Sequence, residues 1–224
     1  MSANLINLLL EATGQTLYMV AVSTLLGTLF GLPLGVFLAI SQRGELLSAP
    51  WLNKVLGLLV NATRSVPFII LVVAIIPFTR AIAGTSIGTT AAIVPLTIAA
   101  VPFIARLVEN AIREVDGGLI EAARAMGATP FQIIRKVLIP EALPSITLGL
   151  TLAVVSLIGY SAMVGAVGGE GLGDLGIRYG YQRFMPDVMA VVVVILIVLV
   201  QLVQSIGEWI AARVDKRAPK GRGQ

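Results

Sequence analysis

The residues whose types and spacing could support chemistry are few, and most common mechanisms are missing a part. With no cysteine and no histidine among 224 residues, thiolate chemistry, disulfides, the commonest metal ligand and the near-neutral proton shuttle are all unavailable. No metal site and no cofactor are expected. The run Gly171-Leu172-Gly173-Asp174-Leu175-Gly176 satisfies G-x-G-x-x-G, but it follows a long apolar segment instead of linking a strand to a helix in a water-soluble unit. It is rejected as a dinucleotide site. No G-x-x-x-x-G-K-[ST] occurs, so the chain has no phosphate cradle of its own, and any ATP used must be hydrolysed by another protein. Glu11, Glu170, Asp174 and Asp187 are all expected at or beyond the edges of apolar spans, so no paired intramembrane carboxylates suggest a proton-coupled carrier.

What must position the remaining residues is a set of membrane helices. The chain is 57% hydrophobic and 12% charged, against about 25% charged for an ordinary soluble domain. Such a balance suits lipid, which accepts apolar side chains on the outside of every helix. The net charge of +4 does not indicate a nucleic-acid partner, because the basic residues fall between apolar spans instead of forming one patch. The first residues lack the basic start of a secretory signal and are expected to belong to the mature chain.

Five spans are expected, at 16–40, 66–83, 87–108, 145–167 and 188–206, in a single transmembrane domain covering 1–224. The second and third meet at a tight turn near Ala83. With the N-terminus outside and the C-terminus inside, twelve of the sixteen Lys and Arg residues fall on the cytoplasmic side, with Arg64 at the inner end of the second span. The predicted class is therefore an all-α polytopic membrane protein, N-out and C-in. Gly27, Gly31 and Gly35 recur every four residues, which clears one helix face for close packing. Pro33, Pro67, Pro77, Pro95 and Pro102 are each possible kinks.

The stretch 109–144 is expected to be cytoplasmic and to hold two short helices. In the first, Leu119, Ala122, Ala123 and Met126 share a face, and Gly127 permits a left-handed stop. In the second, Thr129 caps, Pro130 suits the first position, Gln132 completes a capping box, Phe131, Ile134 and Leu138 form the stripe, and Pro140 ends it. Read on its own, such a pair is as well suited to lying on the membrane surface or bracing the bundle.

The order of residues is more specific. Glu121-Ala122-Ala123, three residues, Gly127, nine residues and Val137-Leu138-Ile139-Pro140 resemble the E-A-A-x3-G-x9-I-x-L-P loop of bacterial ABC importer permeases, with Val for the usual Ile and Ile for the usual Leu. Thr63-Arg64-Ser65-Val66-Pro67-Phe68, Ile76-Pro77-Phe78-Thr79-Arg80, Pro102-Phe103-Ile104-Ala105-Arg106 and Gly159-Tyr160-Ser161-Ala162-Met163 are similar to the methionine-importer members of that family. The resemblance implies a multi-pass inner-membrane permease, not itself an enzyme, working as a homodimer with two ABC ATPase subunits and an extracytoplasmic methionine-binding protein. It also implies that Glu121, Ala122, Ala123, Gly127 and Pro140 belong to the loop that couples to the ATPase.

Ser156, Tyr160, Ser161 and Met163 gather polar and soft apolar groups on the fourth span and are expected to line or gate the path of a zwitterion, although methionine also fills packing gaps well. Loop packing is the expectation for Tyr179, Tyr181 and Phe184. The alternatives are a permease for another small amino acid or osmolyte, a membrane scaffold that transports nothing, and a secondary carrier.

Overall fold

In the computed structural model, residues 3–42 and 46–215 are described, and every regular element among them is helical. Five of the twelve expected cytoplasmic charges, Arg43, Lys216, Arg217, Lys220 and Arg222, lie outside the described residues. Helix α1 spans Ala3–Ile40, α2 Pro50–Ser65, α3 Phe68–Ala74, α4 Ile76–Ala83 and α5 Thr89–Arg113. Then follow α6 at Gly117–Ala125, α7 at Pro130–Ile133, a π turn at Ile134–Leu138 and α8 at Ile139–Gly165. The chain closes with α9 at Gly171–Leu175, a second π turn at Gly176–Tyr181 and α10 at Pro186–Val214.

Four of these stretches are long and apolar enough to cross a membrane, and a fifth is reached if the bent pair α2–α3 is one span. The expected continuous helix over 66–83 is replaced by α3 and α4, which meet at Ile75, while the unforeseen α2 joins α3 at an angle of 101°. Proline accounts for both breaks. Pro67 holds Val66 extended (φ −81°, ψ 127°) and opens α3, and Pro77 starts α4 where a missing N–H costs nothing. Pro33, Pro95 and Pro102 lie within helices that continue through them. Asn53 ties the start of α2 back to the end of α1, donating to the Leu38 carbonyl at 2.8 Å and the Ser41 hydroxyl at 2.9 Å.

Helix α1 begins thirteen residues before the expected boundary because Leu9 and Ala12 are buried with Leu172, Leu175, Val188 and Val192 from α9 and α10. Side chains of α1 also satisfy the first backbone donors of α9: Gly171 N–H donates to Gln15 Oε1 at 3.0 Å and Leu172 N–H to Thr16 Oγ1 at 2.9 Å. The G-x-G-x-x-G run is thus a packed helical joint. A side chain on Gly173 would strike the Ala162 backbone.

The central packing is α1 against α5. A Cβ on Gly31 would stand 2.8 Å from the Val101 carbonyl oxygen, one on Gly27 2.7 Å from Ala100 Cβ, and one on Gly35 would collide with the Ala105 carbonyl. Close helix approach is therefore the role of this glycine face, as expected. Because the Val101 carbonyl oxygen is a backbone atom that cannot rotate away, and Ile104 stands directly beside it, Gly31→Leu is expected to destabilise by about 3 kcal/mol. Thermal unfolding in detergent should show this as a clear fall in midpoint, whereas an unchanged midpoint would mean that the helices are not packed this closely.

Candidate coupling surface and central cavity

The loop after α5 is built from local rules that the sequence displays. Asp116 caps α6 by accepting from Gly118 N–H at 2.6 Å. Its other end is a Schellman turn: Gly127 has φ +77°, its N–H reaches the Arg124 carbonyl at 2.9 Å, and Ala128 N–H reaches the Ala123 carbonyl at 3.1 Å. Helix α7 opens with the expected capping box, in which Thr129 N–H donates to Gln132 Oε1 at 2.9 Å and Gln132 N–H to Thr129 Oγ1 at 3.4 Å.

Two expectations change. Pro140 does not end the second helix, because residues 130–165 run as one helical stretch through a π turn. In that turn Ile139 N–H reaches back to the Ile134 carbonyl, and the wider ring makes room for the proline that follows. Pro140 then takes an early position of α8. The apolar stripes also divide. Ala123, Ile133 and Leu138 are buried in the bundle, whereas Met126 is 82% exposed, Phe131 68% and Leu119 43%. Glu121, Ala122 and Gly127 are exposed as well. The loop therefore has an attached side and a bare side, and the exposed residues combine apolar Leu119, Met126 and Phe131 with the acid Glu121 and the bases Arg124, Arg135 and Lys136.

At the root of the loop, Glu109 is 2% exposed and carries ion pairs to Arg106 at 2.6 Å and Arg113 at 2.5 Å. Arg106 also donates to Asn61 Oδ1 at 2.6 Å, linking α5 to α2. Sequence reading placed Glu109 at the start of the loop and missed it. Arginines three residues before and four residues after an acid were the available clue.

The four residues expected along the path do not all face one way. Ser161 is buried and donates to the Ile158 carbonyl at 2.7 Å, and Ser156 donates to the Leu152 carbonyl at 2.9 Å, so both hydroxyls are used within α8. Met163 is 46% exposed. The Tyr160 ring stacks on Phe68 of α3, centroids 4.4 Å apart and planes 11° off parallel. Behind that pair lies a cavity of about 130 Å³ lined by Thr63, Arg64, Phe68, Leu71, Phe103 and Tyr160. Of the aromatic residues after α9, Tyr179 is packed beneath Arg183, 4.4 Å from its ring centroid, but Tyr181 and Phe184 project into the open, against the expectation for them.

Residues 31–218, which hold the capped loop and the cavity-lining helices, match the family described as binding-protein-dependent transport system inner membrane components. The chain belongs to that family. This inner-membrane component is 60% identical over 211 residues to the probable D-methionine transport system permease protein MetI of Vibrio cholerae, covering 94% of each chain. It is 53% identical over 165 residues to the D-methionine transport system permease protein MetI of Escherichia coli K12, covering 74% of this chain and 76% of that one. Among solved structures, a chain of the MetNI methionine ABC transporter in inward-facing conformations superposes with a TM-score of 0.94 at 51% identity, covering 96% of this chain and all of that one.

Because no atom lies within 4 Å of a Cβ placed on Gly127, only its backbone angle demands glycine. Gly127→Asn, which tolerates left-handed backbone, should cost a few tenths of a kcal/mol, and β-branched Gly127→Val about 1–2 kcal/mol. Limited proteolysis within 109–144 of the purified protein reads the order; equal protection in both variants would mean that the turn is not needed to hold the loop.

Proposed function

We propose that this chain is the membrane-spanning permease of an ATP-driven importer for methionine, the D form included. It works as two copies with two copies of a separate ABC ATPase and an external methionine-binding protein. The observation that carries the reading is the likeness to the MetNI chain, which runs the whole length of that chain at 51% identity. The chain catalyses no covalent step. ATP is hydrolysed on the ATPase, and the permease converts its closure into movement of helices.

In this reading the loop end faces the cytoplasm and the N-terminus lies outside, which puts Arg106, Arg113, Arg124, Arg135 and Lys136 on the side where basic residues concentrate. All of 1–224 acts as one permease domain. The bare side of the loop, with Leu119, Met126, Phe131 and Glu121, is what the ATPase covers; Ala122 lets it approach, Gly127 sets the angle between α6 and α7, and Ala123 and Pro140 join the loop to the bundle. Burying Met126 and Phe131 stabilises docking by about 1.5–3 kcal/mol each. Tyr160 and Met163 of α8 line the path between the two copies. Ser156 and Ser161 shape α8 from within.

Vesicles holding both copies of the permease and both ATPases should accumulate methionine when ATP is supplied on the ATPase side and the binding protein on the other, and a pH gradient without ATP should drive none. Failure of ATP-driven uptake with every partner present would leave a scaffold. Competition by other amino acids in the same vesicles reads specificity, and a stronger competitor than methionine would replace it as the substrate. Met163→Ala and Tyr160→Phe should each lower uptake several-fold in assembled complexes, with about tenfold corresponding to 1.4 kcal/mol. Normal rate and affinity in both would remove these side chains from the path.

A further inference from the structure

The cavity behind Tyr160 contains a charge that the fold leaves unanswered. Arg64 sits at the end of α2, beside the elbow into α3, and among the described residues its side chain makes no ion pair or hydrogen bond. Its one recorded interaction is with the Phe103 ring, whose centroid lies 5.9 Å from the guanidinium carbon. Arg106, Arg113 and Arg178, by contrast, are each paired with a carboxylate. Sequence reading assigned Arg64 to the inner end of the second span. The structure places it beside Phe103, about one turn along α5 from the paired Arg106. An arginine within a membrane bundle is costly unless it faces a cavity or meets an anion.

The surroundings match one class of anion. A guanidinium presents parallel N–H donors in a plane, which fits a carboxylate at two points. The stacked faces of Phe68 and Tyr160 form the apolar wall of the same cavity, and thioether sulfur packs well against aromatic rings. Arg64 is exposed in the single chain, so the cavity is open to a solute where Arg64 stands. At about 130 Å³ the space is smaller than the 300–1,000 Å³ of pockets that enclose a ligand. It suits a grip on one end of a molecule that must be released again.

We propose that Arg64, with the Phe68–Tyr160 pair, forms a transient subsite that takes the α-carboxylate of the amino acid in transit while its apolar side chain lies along the aromatic stack. This rests on the transport reading and adds to it a point inside the membrane where amino acids are distinguished from amines and alcohols of the same shape.

The chain has no cysteine, so Thr63→Cys places a single thiol in this subunit at the cavity wall. The probe is maleimide labelling of that residue in the assembled complex without binding protein, read by mass spectrometry on this subunit. Methionine should slow labelling at concentrations about tenfold below those needed of methioninol, which lacks the carboxylate. Adding Arg64→Gln should abolish the difference, and Arg64→Lys, which keeps the charge but loses the fork, should restore part of it. If the glutamine variant does not assemble, the methioninol comparison and the lysine variant carry the test. Val66→Cys repeats it from a second wall. Equal protection by the two ligands, methionine protection that survives Arg64→Gln, or no protection at either thiol would overturn the subsite. Uptake by the Thr63→Cys complex separates the two ideas: ATP-driven uptake without protection sinks the subsite alone, and absence of uptake in the unmodified complex sinks the transport reading.

Discussion

The contact of α1 with α5 is the constraint on which the rest of the molecule depends. Membrane helices gain little from burying apolar surface against each other, since lipid tails are as apolar as their side chains, so association rests on close packing. Gly27, Gly31 and Gly35 allow the two backbones to approach until only Ala100, Val101, Ile104, Ala105 and Val108 separate them. Once α5 is fixed, its loop-end turns bring Arg106, Glu109 and Arg113 together, and Arg106 draws α2 in through Asn61. At its far end, Thr89 donates to Glu170 and ties the segment before α9 to the same helix. The cavity around Arg64 exists because α5 supplies its back wall with Ala99 and Phe103.

A second constraint is that backbone donors and acceptors buried from water must find partners wherever a helix is interrupted. Each interruption here has a local answer. The elbow at Val66 and Pro67 uses a residue that has no donor; the entry to α9 borrows Gln15 and Thr16 from α1; and the approach to Pro140 widens into a π turn. The result is that helices change direction beside the cavity, at the α2–α3 elbow, while the helix running from the loop does not break.

Legibility in the sequence followed the range of the interactions involved. The capping box at Thr129 and Gln132, the left-handed Gly127 and the glycine face of α1 were readable, because each is set by neighbours within one or two turns. The early start of α1 was not, since Leu9 and Ala12 are helical by virtue of Leu172, Leu175, Val188 and Val192, far along the chain. Helix α2 was missed because its apolar residues are diluted by polar ones and only Val60 is buried, so it lacks the composition of a span. Pro140 misled for a different reason: proline stops a regular helix, and periodicity gives no notice of a π turn that accommodates it. Ser161 was grouped with Tyr160 by proximity in sequence, but adjacent residues on a helix point about 100° apart, and the packed face took it.

The continuity of residues 130–165 gives the transport reading its mechanical content. Thirty-six helical residues span about 54 Å, so Phe131 at the bare side of the loop and Tyr160 beside the cavity belong to one stiff rod. A hinge at Pro140 would have absorbed movement near the membrane surface. The π turn instead carries the helix past Pro140 without a change of direction, although Pro140 and Pro144 each lack a backbone donor, and the buried side chains Ile133, Leu138, Ala142, Ile146, Ala153 and Leu157 hold the rod to the bundle along its length. Under the proposed transport function, displacement of the loop by a closing ATPase would arrive at Tyr160 as tilt or sliding of α8. The Tyr160 ring lies flat on Phe68, the first residue after the α2–α3 elbow, so a shift of α8 by a fraction of a ring width changes the overlap of the stack and the width of the cavity holding Arg64. Small motion at that point suffices, because stacked rings and a carboxylate-sized space are both sensitive to displacements of about 1 Å.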